Sequence, residues 1–367
     1  MRRTRIALFA IAITLSCLGV VMIYSASAIY AYETLGDSSY YLKRHLIYLT
    51  MGFVLLIFAM AVPYDRLRRH AKPFLLASFF FLLLVLIPGI GKEIGGARRW
   101  FKIGSFSIQP SEIAKIAVIV YLADVLSRKQ SKIESITHAL FPAFAVLGMS
   151  ILLVLVQPDL GTALALAAIG FIMCFASGVK VKHLSGLILA SLPLIYALVF
   201  GVGYRRRRML AFLNPWADPQ GVGFQIIQSF LALGNGGLFG VGLGQSRQKL
   251  FYLPQSHTDF IFSIIGEELG FIGCGIVVLL FAAFTILAVR IAFKAREPFG
   301  RFLAVGVLSM IALSSLINIG VCVGALPTKG LPLPFISYGG TALLANLFGV
   351  GLLLNIAKNR DAIAVSQ

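Results

Sequence analysis

The residues best placed to do chemistry are His257, Thr258 and Asp259, where a long polar stretch runs into an apolar one. A carboxylate at such a mouth is what a general base requires, although Asp is also a common helix cap. The polar stretch, about 204–258, opens on Arg205 to Arg208 and carries Arg247 and Lys249 near its end. More cations gather at Arg98, Arg99 and Lys102 around Trp100, at Lys115 and at Lys329. Arg and Lys hold phosphates through charge-assisted bonds, so one reading is an acid facing a bound polyanion. Contact with lipid headgroups is the plainer reading of the same cations. Trp100 fits either an interfacial anchor or a stacking surface for a sugar.

Two further acids open apolar runs. Gln109-Pro110-Ser111-Glu112 and Gln157-Pro158-Asp159-Leu160 each place Pro at a helix start and an acid in the first turn, which suits the end of a helix dipole. Glu112 and Lys115 share a helix face. Unpaired charge at membrane depth is costly, so Lys115 is expected to pair with Glu112 or with Asp159, the latter tying two helices together. At least one of Glu267 and Glu268 is expected to be buried and paired. The glycines between 221 and 244 allow tight turns. No phosphate-loop Gly-Lys-Ser/Thr, no HExxH and no Ser-His-Asp spacing is present, so no metal site and no cofactor is assigned. Whether a divalent cation, Mg2+ or Mn2+, assists is left open.

These residues must be held by membrane helices. The chain is 59% hydrophobic and 13% charged, against about 25% charged for soluble domains. Its apolar runs approach the ~20 residues that cross a bilayer and lack the alternation of a membrane β-barrel. The expected fold is therefore an all-α polytopic membrane protein of about ten transmembrane helices, a single domain over 1–367. The spans are expected near 6–28, 45–62, 73–90, 111–127, 138–156, 160–177, 184–203, 260–289, 302–323 and 341–357. The first reads as an uncleaved helix rather than a removed signal peptide. Cys17, Cys174, Cys274 and Cys322 lie in apolar runs as packing residues.

With the N-terminus inside, clusters at Arg2/Arg3/Arg5, Arg66/Arg68/Arg69/Lys72, Arg128/Lys129/Lys132, Lys180/Lys182, Arg290/Lys294/Arg296/Arg301 and Lys358/Arg360 face the cytoplasm. They hold 18 of the 32 Lys and Arg residues, so every short inner loop is basic, as topology requires. Both termini are then cytoplasmic. The net charge of +18 reflects this distribution and does not call for nucleic acid. The prolines of the last outer loop, Pro327, Pro332 and Pro334, forbid a regular helix. An irregular segment at that depth must line a cavity or be buried in protein, so it is expected to wall the same cavity as Asp259.

The motifs Ala97-Arg98-Arg99-Trp100, Gln109 to Lys115, Gln157 to Thr162, Phe212 to Trp216, His257 to Phe262 and Pro332 to Gly340 resemble those of the SEDS family of bacterial membrane proteins. Pro327 to Pro332 and Asn214-Pro215-Trp216 look more like its FtsW division branch than its RodA elongation branch. Asn214 stands where many members carry Asp, and Gln255 where Glu is frequent. The resemblance covers essentially the whole chain. It implies peptidoglycan synthesis in cell shape and division, by polymerisation of lipid II at the outer face of the cytoplasmic membrane. It further implies partnership with a class B penicillin-binding transpeptidase and other divisome proteins. Asp259 takes the position of the family's essential acid, expected to act as general base. Substrate contacts are expected from Arg98, Arg99, Trp100, Glu112, Lys115, Asp159, Arg205, His257, Lys329 and Ser337. A lipid II flippase or a non-catalytic division scaffold are the alternatives.

Overall fold

The computed structural model describes residues 1–94, 96–104, 106–130 and 141–365. Ten of its helices coincide with the ten expected spans: α1 (Arg2–Leu35), α2 (Tyr40–Ala61), α4 (Ala71–Leu84), α5 (Pro110–Arg128), α6 (Phe141–Val156), α7 (Leu160–Ala176), α8 (Val181–Phe200), α11 (Ile261–Lys294), α12 (Pro298–Cys322) and α13 (Thr341–Val365). Six are long and apolar enough to cross a membrane on their own, while α4, α6 and α7 are shorter apolar helices. The expected start of the fifth span at 138, and Lys132, lie outside the described residues. Three short helices, α3 (Tyr64–Arg69), α9 (Gly203–Leu213) and α10 (Phe224–Gly236), complete the helical set.

The fifth helix, α5, shows why charge is tolerated in this bundle. It packs against α4, α6, α7, α12 and α13, and fifteen of its residues are buried, Glu112, Lys115 and Asp124 among them. At its C-terminal end Asp124 takes Arg68 at 3.0 Å and Arg128 at 2.7 Å. On the same face Asn355 donates to the carbonyls of Ala59, Met60 and Val62, closing the end of α2. Arg5, Met60 and Leu354 meet there, so the N-terminus and the end of α13 share one face. Helix α8 is peripheral, with only Leu184 buried.

Two features were not foreseen. Residues 91–108 form an antiparallel sheet, β1 (Gly91–Ile94), β2 (Ala97–Ile103) and β3 (Phe106–Ile108), in the order β1-β2-β3. Pro88 shortens the preceding helix to Leu84, because proline cannot continue it, and the strands use the remaining residues. The second feature is a break in α11. Gly270 sits at φ 69, ψ −167, a region open to glycine, and the chain at 237–242 pairs with the opened backbone. Phe271 N–H donates to Gly237 O at 2.8 Å, Val241 N–H to Glu267 O at 2.9 Å and Gly242 N–H to Glu268 O at 3.1 Å. The 237–242 segment thus supplies partners for backbone groups that the break frees, as an apolar setting demands.

Candidate active site

The 204–258 stretch is ordered. After α9 it makes a 3-10 turn at Pro215–Ala217, then the amphipathic α10, which packs on α11. From there it crosses to α1 and returns through an irregular segment to Asp259. Both glutamates expected beyond Asp259 hold that segment down. Glu268 accepts from Lys249 Nζ at 2.8 Å and from Ser25 Oγ at 2.7 Å. Glu267 accepts from the Ser246 hydroxyl and from the N–H groups of Arg247 and Gln248. Both carboxylates are buried, and burial of an acid is tolerated when its oxygens are bonded.

Asp259 is set by two loops. The carbonyl of Gln255 accepts from the N–H groups of Thr258, Asp259 and Phe260 at 3.1, 3.1 and 3.3 Å, a tight turn that delivers the chain into α11. Across from it, the last loop is fastened strand-like to the same residues. Tyr338 N–H donates to His257 O at 3.0 Å, and Ser337 Oγ donates to Thr258 O at 2.6 Å. Asn318 Nδ2, on α12, bridges the carbonyls of Asp259 and Leu331, both at 2.8 Å. These bonds fasten the last loop to the 257–259 strip on its backbone side.

Among the described residues, none bonds the Asp259 carboxylate. Phe260 takes the N-cap position of α11 with no side-chain cap bond, so Asp259 is not the cap of this helix. Among the described residues its oxygens make no hydrogen bond and no ion pair, and the residue is half-buried. Its carboxylate lies over the bare backbone of Gly330, where a Cβ would come within 3.1 Å of Oδ2. Desolvation pushes the Asp259 carboxyl up to about 7, and the guanidinium of Arg208 pulls the other way; burial disfavours the charged form, a nearby cation favours it.

Lys329 lies next to Gly330. Burial, with Arg205 and Arg208 nearby, brings its ammonium down to about 8, while Asp159 opposes the shift. Asp159 caps α7, accepting from Thr162 N at 3.1 Å and Thr162 Oγ1 at 2.9 Å. Gln109 Nε2 reaches its other side at 3.4 Å and Arg99 stands at 3.9 Å. Arg99 also donates to the carbonyls of Gln157 and Pro158 at 2.9 and 2.5 Å.

The structure brings Asp259, Lys329, Arg208, Arg205 and Asp159 into one electrostatic neighbourhood, with Arg99 at its edge. It gives other predicted site residues different surroundings. Lys115 pairs with Glu112 at 2.9 Å, with both side chains buried, so the pairing is within one helix. The tie to the Asp159 helix is made by Gln109 and Arg99 instead. Arg98 pairs with Glu93 on the sheet at 3.3 Å, Trp100 is half-buried on β2 opposite Lys92, and Arg205 also donates to Leu198 O at the end of α8. Ser337 is a fastener of the strip. His257 is buried, its ring 4.5 Å from that of Tyr41, and burial brings it down to about 4. Asn318 and Gly330 were missed; a lone buried amide in an apolar helix was the available signal for the first. Beside the strip, an apolar cavity of about 600 Å3 opens between α10, α11 and α12, lined by Leu233, Phe262, Cys274, Ile319 and Val323 among others. Among the described residues no three His, Cys, Asp or Glu side chains converge.

Comparison with known proteins agrees with this architecture. The FtsW/RodA/SpoVE family model, described as "Cell cycle protein", matches residues 5–362. A Geobacter metallireducens protein named "Probable peptidoglycan glycosyltransferase FtsW" is 47% identical over 355 residues, 97% of this chain and 95% of that protein. Among solved structures, a chain of "Structural coordination of polymerization and crosslinking by a peptidoglycan synthase complex" superposes with a TM-score of 0.80 at 32% identity, covering 96% of this chain and 97% of that one. The Thermus thermophilus rod shape determining protein RodA follows at 0.71 and 28%, covering 96% of each chain. A helical bundle of this connectivity, with a full-length family match, means that the chain belongs to the SEDS family of FtsW, RodA and SpoVE proteins.

Proposed function

We propose that this chain is a peptidoglycan glycosyltransferase that polymerises lipid II, with Asp259 as the general base. The carrying observation is the Asp259 carboxylate, unengaged among the described residues, half-buried, raised to about 7 with Arg208 nearby, and set against Gly330, the residue after Lys329. A base with a pKa near the working pH combines availability with proton affinity. The acceptor sugar's 4-hydroxyl oxygen attacks the donor's anomeric carbon while its proton passes to Asp259. The bond from that carbon to the diphosphate oxygen breaks, and undecaprenyl diphosphate leaves with the electron pair. Arg208, Lys329 and Arg205 neutralise the charge that develops on it, a preorganised electrostatic stabilisation. The apolar cavity below the strip suits the polyprenyl chain of such a substrate.

The site faces outward on this reading, because the opposite face carries the basic clusters around Arg68, Arg128, Lys182 and Lys294. A class B transpeptidase is the expected partner, as the similarity to a chain of a peptidoglycan synthase complex suggests. The test is reconstitution of the purified full chain with lipid II, with and without that partner. Glycan strands visible on gels support the proposal. Movement of lipid II across the bilayer without polymer in either condition overturns it in favour of a flippase.

A further inference from the structure

Around His257 stands a cluster of rings with no role in the mechanism above. Tyr41 lies 4.5 Å from His257 and 5.2 Å from Tyr338, centroid to centroid. Tyr30 lies 5.7 Å from Phe251, 5.9 Å from His257 and 6.2 Å from Tyr41. Tyr40 meets Tyr41 edge-on at 5.3 Å, and Arg44 sits over its ring at 4.9 Å. The rings come from α1, α2, the 237–260 segment and the last loop, so the fold gathers them rather than a local sequence run.

Three properties separate this cluster from core packing. Its outer edge is open, with Phe251 54% and Tyr30 36% exposed. The hydroxyls of Tyr30, Tyr40, Tyr41 and Tyr338 donate to no protein group among the described residues, whereas Tyr48 nearby bonds Ser107 through its own. None of the four is fully buried, so these hydroxyls are open to a ligand's own polar groups. Finally, Phe251, Gln255 and Phe335 hold positive φ angles of 66, 59 and 67, and all three belong to the two segments that carry the rings and Asp259. Such strained backbone persists where the surroundings enforce it, commonly at ligand clamps.

The rings stand tilted or edge-on to one another, Tyr30 and Phe251 at 51° and Tyr41 and Tyr338 at 84°, so they offer separate ring faces and edges. With their unbonded hydroxyls these fit a pyranose ring, which has one face of C–H groups and a rim of hydroxyls. His257 at the centre is neutral and adds no charge to the surface. His257 and Asp259 are two residues apart, so their Cα atoms are within about 7 Å of each other. An uncharged sugar on the rings thus adjoins the base, and a diphosphate held by Arg208 adjoins it too. We propose that the rings of Tyr30, Tyr41, Phe251 and Tyr338 around His257 form the subsite for an N-acetylated sugar of the acceptor glycan. This rests on the glycosyltransferase reading and divides its site into a cationic donor half and an aromatic acceptor half.

The experiment titrates the full chain, purified with its partner, with the soluble β-1,4-linked tetramer of N-acetylglucosamine, followed by saturation-transfer NMR. This probe carries no lipid and no diphosphate, and the measurement needs no turnover. Phe251→Leu and Tyr30→Leu keep apolar bulk at the exposed edge but remove a flat ring face, and both leave Tyr41 and His257 themselves in place. Each should weaken tetramer binding about tenfold, while Phe251→Trp, which keeps a flat face, and Gly186→Ala on α8 bind as the unmodified protein does. Unmodified protein that does not bind the tetramer overturns the subsite, as do Leu variants that bind it equally well. Failure of the unmodified protein to polymerise lipid II is a separate result, and it overturns the glycosyltransferase reading instead.

Discussion

Gly330 offers a graded test of how closely Asp259 must be placed. A methyl group at position 330 would sit 3.1 Å from Asp259 Oδ2, where ordinary contact is 3.4–4 Å. The glycine is exposed and Asp259 is half-buried with no bonded partner among the described residues, so Gly330→Ala should move the carboxylate by about 0.3–0.5 Å and leave the fold intact. Misplacement of a reacting group by 1 Å can cost about 100-fold. Scaling logarithmically, a shift of this size should slow polymerisation about four- to tenfold. The assay is the initial rate of glycan formation from lipid II by the purified variant, with thermal unfolding measured in parallel. Gly186→Ala on α8, where nothing lies within 4 Å of the added methyl, is the control and should leave the rate unchanged without lowering the unfolding midpoint. A Gly330→Ala protein that folds normally and polymerises at the control rate would refute the argument that this contact positions the base.

Polymerisation should rise with pH through about 7 as Asp259 loses its proton and fall through about 8 as Lys329 loses its own; Lys329→Arg, which keeps its charge, should abolish the alkaline fall, as a rate–pH profile will report. Because the folded Asp259 carboxyl is raised above its usual 3.8, its contribution to stability is complete below that value and lost as pH rises through about 7. The thermal midpoint should therefore fall across that window in the unmodified protein, relative to Asp259→Asn. Lys115→Ala strands a buried Glu112, which typically costs about 3–5 kcal/mol, so the folded yield on size exclusion should drop; Glu112→Gln combined with Lys115→Met should restore it. Cysteine labelling from outside intact cells should modify a probe at Gln220 and spare one at Lys129, and the reverse pattern would overturn the outward site.

The spans were legible because length and hydropathy alone decide whether a segment can leave water. The charged α5 was legible through Pro110, Glu112 and Lys115, whose types mark a helix start and a paired interior. Spacing could not choose the partner of Lys115, since Glu112 is its helical neighbour and Asp159 is a helix away; packing decided it. The strands at 91–108 carry no clean alternation and are too short to signal themselves. The pairing of 237–242 with the broken α11 depends on contacts more than twenty residues apart, which no local pattern encodes. Asp259 was found as an acid at a helix mouth, but its distinction lies in what it lacks. Phe260 holds the cap position and Asn318 holds the Asp259 carbonyl, so the carboxylate is left without a structural task.

That freedom makes the central claim directly measurable through Asp259→Asn. The amide keeps the side chain's size and polarity and removes the proton acceptor, whose loss typically costs 10²–10⁴-fold in rate. The decisive measurement compares lipid II polymerisation and lipid II binding by this variant and the unmodified protein, both in complex with the transpeptidase partner. The account predicts equal folding and near-equal binding, with polymerisation reduced at least 100-fold. Glycan made at a near-normal rate by a folded Asp259→Asn protein would contradict it.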